Sequence, residues 1–120
     1  EVYYAEFSWE NILKVIKNHT ITFTPMPKFP AVKRDLALLL DKKISFKEVR
    51  DIAFRTEKSL LKSVTLFDVY EGEKLGAGKK SYAISFTLQD DEKTLTDKQI
   101  DKIMNKLMGT YKHQLGAEIR

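Results

Sequence analysis

At 120 residues, 42% hydrophobic and 32% charged, the chain is long enough for one soluble domain with a single core and a short appendage. No apolar run approaches the roughly 20 residues of a membrane span, the longest being residues 36–40, and the start EVYYAEF shows no signal peptide. The net charge of +4 comes from 21 Lys/Arg interleaved with 17 Asp/Glu, which excludes a polybasic tail and limits any nucleic-acid contact to a few positioned groups.

Zero Cys removes disulfides, thiolate metal sites and cysteine nucleophiles, and it fits a reducing, cytoplasmic setting. The missing initiator Met points to a piece cut from a longer protein.

In chain order, residues 2–7 are β-prone. Ser8 then offers an N-cap for a short helix in which Trp9, Ile12, Leu13 and Ile16 share one face. Residues 19–24 return to an extended pattern. Pro25, Pro27 and Pro30 follow in close succession, which forbids helix and favours an extended linker. A boundary belongs there: residues 1–24 read as the tail of a preceding module, and residues 25–120 as a domain of their own.

Past the linker, AVKRDLALLL reads as a strand with Leu36, Leu38 and Leu40 on one face and Asp35, Ala37 and Leu39 on the other. Asp41, Lys42 and Lys43 turn the chain. Ser45 and Glu48 form a capping box, and Phe46, Val49, Ile52, Ala53 and Thr56 continue as a helical stripe to about residue 58.

The stretch LFDVYEGEKLGAGKKSYAISFTL then reads as two strands joined by a Gly/Lys-rich loop. Its second strand alternates strictly: Tyr82, Ile84, Phe86 and Leu88 point one way, Ser81, Ala83, Ser85 and Thr87 the other. Its first strand is less regular, with apolar Val64, Leu66, Phe67, Val69 and Tyr70 on both sides. Phe67 and Val69 are assigned to the core, with a bulge near Leu66.

Thr96 and Gln99 make a second capping box, ahead of a helix that turns Ile100, Ile103, Met104, Leu107, Met108 and Tyr111 inward. Gly116 suits the position just past that helix, and residues 117–120 read as a short closing strand. The order β-α-β-β-α-β predicts an α+β, ferredoxin-like split βαβ fold. Two helices cover one face of a four-stranded antiparallel sheet, and the other face stays open.

Catalytic chemistry finds little support. His19 and His113 lack spaced ligand partners, so neither a zinc site nor a His-based triad is expected. The loop GEKLGAGKKS fails as a phosphate-binding loop: the Gly72–Gly78 spacing is too long, Lys80 stands where Ser or Thr is needed, and a strand follows rather than a helix. Asp90, Asp91 and Glu92 lack EF-hand spacing and read as a solvated loop near a helix N-terminus. The first β-to-α connection has no glycine-rich, arginine-bearing cradle of the acylphosphatase kind.

The open face is more informative. Alternation lines it with Asp35, Ala37 and Leu39, with Asp68, with Ser81, Ala83, Ser85 and Thr87, and with Glu118 and Arg120. Ala37, Ser81 and Ala83 form a shallow floor, edged by Asp68 and Arg120. A carboxylate can accept from the N1–H and N2–H₂ edge of a guanine, and a guanidinium can hold a phosphate or a base plane. Tyr70 is the best candidate for an aromatic on this face, while Lys74, Lys79 and Lys80 stand near its edge as candidate phosphate contacts.

PKFPAVKRDLALLL, LFDVYEG, GAGKKSYAISFTLQ, TLTDKQI and the terminal LGAEIR, in this order, resemble the C-terminal ferredoxin-fold anticodon-binding domain of bacterial phenylalanine–tRNA ligase β subunits. The resemblance covers essentially all of residues 25–120, and VYYAEFSWENIL resembles the end of that subunit's catalytic-like but inactive module. The chain stops where the family stops, so a native C-terminus is expected.

The resemblance implies an accessory, non-catalytic role in an α₂β₂ aminoacyl-tRNA ligase, with ATP and Mg²⁺ used by the α subunit and no cofactor in this chain. It implies that the open face contacts the anticodon stem-loop of phenylalanine tRNA and reads its first base, a guanine, through Ala37, Asp68, Ser81 and Arg120. Arg34 alternates away from Ala37 and reads as structural or rim. The alternative is an interaction or small-molecule regulatory module of the same fold that dimerises through a sheet edge.

Overall fold

The structure is a computed structural model, which describes residues 1–23, 25–72 and 75–120. The expected extended run up to Thr24 and the edge lysine Lys74 therefore end in residues outside this description. Helix α1 (Trp9–Ile16) precedes strand β1 (Val32–Asp41), helix α2 (Phe46–Thr56), strands β2 (Leu61–Tyr70) and β3 (Lys79–Leu88), helix α3 (Asp97–Leu115) and strand β4 (Glu118–Ile119). The four strands form one antiparallel sheet in the order β2-β3-β1-β4. From β1 onward this is the expected α+β, ferredoxin-like arrangement.

Both core helices begin where the sequence places their caps. The Ser45 hydroxyl accepts from the Glu48 N–H while the Glu48 carboxylate accepts from the Ser45 N–H, and Thr96 and Gln99 do the same for α3. Each box satisfies two backbone donors that a helix start otherwise leaves unpaired. α3 ends at Gly116 in the left-handed region (φ 60°), a conformation that costs a Cβ-bearing residue energy. The N–H groups of Gly116 and Ala117 return to the carbonyls of Lys112 and Tyr111.

The core lies between the helices and one face of the sheet. Leu38 and Leu40 of β1, Ile84, Phe86 and Leu88 of β3, Val49 and Ala53 of α2, and Ile100, Leu107 and Tyr111 of α3 are all buried there. Each large apolar side chain so buried contributes about 1.5–3 kcal/mol. Two polar contacts fix the helices to each other: the Tyr111 hydroxyl donates to the Val49 carbonyl (3.1 Å), and Lys106 Nζ donates to the carbonyl of Thr56 at the end of α2 (2.7 Å). The Gln89 side chain donates to the Phe29 carbonyl (2.7 Å) and ties the proline segment to the end of β3.

Two expectations for the N-terminal segment are corrected. Residues 2–7 and 19–23 form no strand, and the Ser8 side chain makes no capping hydrogen bond. An extended segment becomes a strand only when another strand takes its backbone groups, and among the described residues none pairs with these. α1 keeps its amphipathic pattern but buries no residue; Trp9 is 70% exposed.

A third correction concerns β2. Phe67 and Val69 are 58% and 46% exposed and pack outside the core cluster. The pairing of β2 with β3 shifts between Leu61 and Ser63 and again between Leu66 and Asp68. Leu66 opposite Ile84 still reaches the core, whereas Asp68 opposite Ala83 lies on the open side. Phe67 is the extra residue of the second bulge, so the period-two reading slips there by one. Val69 regains the helix side opposite Tyr82, but too near the end of the strand to be covered.

Candidate functional site

The strand registers arrange the open face in rows. Asp68 of β2 stands opposite Ala83 of β3, which pairs with Ala37 of β1; the Arg120 N–H donates to the Ala37 carbonyl (3.0 Å) and extends this row past the end of β4. The next row runs Tyr70, Ser81, Leu39, Glu118. On the far side of the first, Thr65, Ser85 and Asp35 align. With neighbouring strands about 4.8 Å apart, Asp68 and Arg120 bracket a floor of two alanines roughly 14 Å across.

That floor is shallow because its side chains are small, and its ends carry opposite charge. Among the described residues neither Asp68 nor Arg120 makes an ion pair. Two uncompensated charges facing solvent across a flat apolar strip give a ligand both an acceptor and a forked donor to address. Ser81 is 9% exposed and lies between Tyr70 and Leu39, so its hydroxyl can be reached only at close range.

Of the residues singled out in the sequence, Ala37, Asp68, Tyr70, Ser81 and Arg120 share this face. Lys79 joins them at the rim opposite Asp41, where its Nζ pairs with the Glu118 carboxylate (2.5 Å). The hydrogen bond from Lys79 holds the Glu118 carboxyl below its ordinary pKa. Lys80 does not join them. It stands opposite Leu40 on the helix-covered side, is 8% exposed, and holds its ammonium 4.6 Å from the centre of the Tyr82 ring. Strict alternation in β3 already places Lys80 with Tyr82 and away from Ser81.

Arg34, on the helix side opposite Phe86, reaches Asp97 at the start of α3 (3.5 Å). Within the acidic loop, Asp91 pairs with Lys62 (2.8 Å) and Asp90 accepts from the Glu92 N–H. Among the described residues no three His, Asp or Glu side chains converge to hold a metal ion, and no helix is long and apolar enough to cross a membrane. Phe67, assigned to the core from the sequence, is instead the exposed, unpaired residue of the bulge in β2.

A ferredoxin-like sheet with an uncovered face of this kind defines a class of small binding domains. A family model of the ferredoxin-fold anticodon binding domain matches residues 27–120, and the chain belongs to that family. The chain is 58% identical to the phenylalanine–tRNA ligase β subunit of Bacteroides fragilis and 57% to that of Bacteroides thetaiotaomicron, in each case over all of this chain and 15% of the relative. It is 53% identical to the same subunit of Porphyromonas gingivalis, over 99% of this chain and 14% of the relative. The chain thus spans about 15% of the length of the curated relatives it matches.

Proposed function

We propose that this chain is the anticodon-reading end of a phenylalanine–tRNA ligase β subunit, acting in an α₂β₂ enzyme. Its open face takes the anticodon stem-loop of phenylalanine tRNA and reads the first base, a guanine. Asp68 accepts from the N1–H and N2–H₂ edge, Ala37 and Ala83 give the base a flat floor, Ser81 adds a short-range hydroxyl, and Arg120 holds a phosphate or a base plane. Lys79 contributes backbone attraction at the rim. Phenylalanine activation with ATP and Mg²⁺ belongs to the α subunit, and no step of it runs through these residues. Residues 1–24 close a preceding module, and residues 25–120 act as the RNA-contacting domain.

The observation that carries this reading is the row Asp68, Ala83, Ala37, Arg120, whose two charged ends make no ion pair among the described residues and lie on the sheet face opposite α2 and α3. Dimerisation through a sheet edge has less support. β2 is interrupted by two register shifts and β4 is only 2 residues long, so both edges offer poor templates for strand pairing.

The test uses Asp68→Ala and Arg120→Ala in the full ligase. Each substitution is expected to weaken aminoacylation of phenylalanine tRNA by about 1–3 kcal/mol per lost contact, with ATP-dependent phenylalanine activation unchanged. Unchanged aminoacylation in both variants would mean that the site lies elsewhere.

A further inference from the structure

A hydroxyl that a ligand reaches only at close range must be held to within about 0.5 Å of its working position. The side chain of Ser81 is short, so its placement follows that of its backbone. Lys80 and Tyr82, which flank it in β3, point to the opposite side of the sheet, beneath the helices. What holds these two residues therefore holds Ser81.

Both are fixed to the start of α2. Tyr82 is 6% exposed; its hydroxyl donates to the Ile44 carbonyl (3.4 Å), and its ring meets that of Phe46 edge-on, with centroids 6.4 Å apart. Lys80 lies over the same Tyr82 ring. Its charge also reaches Glu48, whose carboxyl is held below its ordinary pKa chiefly by hydrogen bonds from Ser45. Ile44 precedes the Ser45 cap, and Phe46 and Glu48 belong to the first turn of α2.

The charge on Lys80 calls for a reason. Lysines are almost never fully buried without a partner, yet Lys80 makes no ion pair among the described residues. An apolar side chain in this place would avoid the cost of taking an ammonium out of water. What the ammonium gains instead is a ring face, an attraction that strengthens as water is excluded. That contact joins the residues on either side of Ser81.

We infer that Lys80 is a positioning residue of the site: its ammonium, seated on the Tyr82 ring, braces the backbone of Ser81 against the start of α2 and sets where the Ser81 hydroxyl stands on the open face. This rests on the RNA-reading function proposed above.

The test uses the full-length ligase and anticodon stem-loops with guanine or adenine at the first anticodon position, and reads the ratio of the two affinities. Lys80→Met keeps the apolar stem but removes the charge, and should lower the ratio about 3- to 10-fold. Lys80→Arg keeps a cation for the ring and should hold the ratio at the wild-type value. Because Lys80 acts through Ser81, Lys80→Met should change the ratio less than about twofold in a Ser81→Ala background. Salt dependence of binding should match the wild type. If Lys80→Met does not fold, Tyr82→Phe, which removes only the tie to Ile44, takes its place with the same expected dependence on Ser81.

An equally large loss in the Ser81→Ala background, or one found also in Lys80→Arg, would make Lys80 a general structural residue. A shallower salt dependence with an unchanged ratio would make it a phosphate contact. Either result, or an unchanged ratio in both Lys80→Met and Tyr82→Phe, would overturn the inference while Asp68→Ala still lowers the ratio. An unchanged ratio in Asp68→Ala, Ser81→Ala and Arg120→Ala would overturn the reading of the first base, and the positioning role with it.

Discussion

Tyr111 shows how one polar atom governs a buried contact. Its hydroxyl donates to the Val49 carbonyl, and burial raises its pKa well above the ordinary tyrosine value. Because the folded-state pKa lies above the unfolded one, this contribution is complete below about pH 10 and is lost as pH rises further. Denaturant titrations of Tyr111→Phe at neutral pH should show a loss of about 1 kcal/mol. The alkaline decline in stability should be shallower in the variant; an identical decline would assign it to other groups.

Glu118 shows the opposite sign. Its pKa is lowered by the Lys79 hydrogen bond, so its contribution is present above the unfolded-state value and is lost as pH falls through the folded-state one. Under the proposed function the same pair bears on binding, because Glu118 neutralises the rim lysine. Glu118→Gln should tighten stem-loop binding and steepen its salt dependence, and Lys79→Ala should do the reverse. Salt titrations of the two variants read this directly, and equal slopes would remove Lys79 from the interface.

At the scale of elements, the well-formed parts were those with local signals. The capping boxes of α2 and α3, the Gly116 stop and the alternation of β3 depend on neighbours a few residues away, and all are legible in the chain. Ser45→Ala and Thr96→Ala should each cost about 1 kcal/mol of stability, measured by urea unfolding, without changing RNA binding. What was not legible depends on partners. The bulge expected near Leu66 is there, but that it leaves Phe67 as the unpaired residue depends on the register with β3, which no local pattern announces. Residues 2–7 read as β-prone yet have no strand beside them among the described residues. Lys80 is a different case: alternation already pointed it inward, and only its charge suggested the surface.

For the whole molecule, the core closes between the sheet, α2 and α3 without help from α1, whose apolar face remains exposed. Removing residues 1–23 should therefore change the unfolding free energy by no more than about 0.5 kcal/mol, the usual range for surface changes. A larger loss would mean that α1 docks on the domain in solution. The sheet's two faces divide the work: one is filled by the helices, and the other carries Asp68, Ser81, Tyr70 and Arg120 on a floor of alanines. The row that joins Asp68 to Arg120 could be drawn only once the strand order and registers were known, since its members come from three strands and the residue that follows the fourth.

The most direct measurement is an NMR titration of the domain with the anticodon stem-loop of phenylalanine tRNA, followed on backbone amides. Shifts should concentrate at Ala37, Asp68, Ser81 and Arg120, leave the outer faces of α2 and α3 unmoved, and shrink when the first anticodon guanine is replaced. Shifts centred on the helices, or equal responses to both stem-loops, would contradict recognition of the first base by the open face.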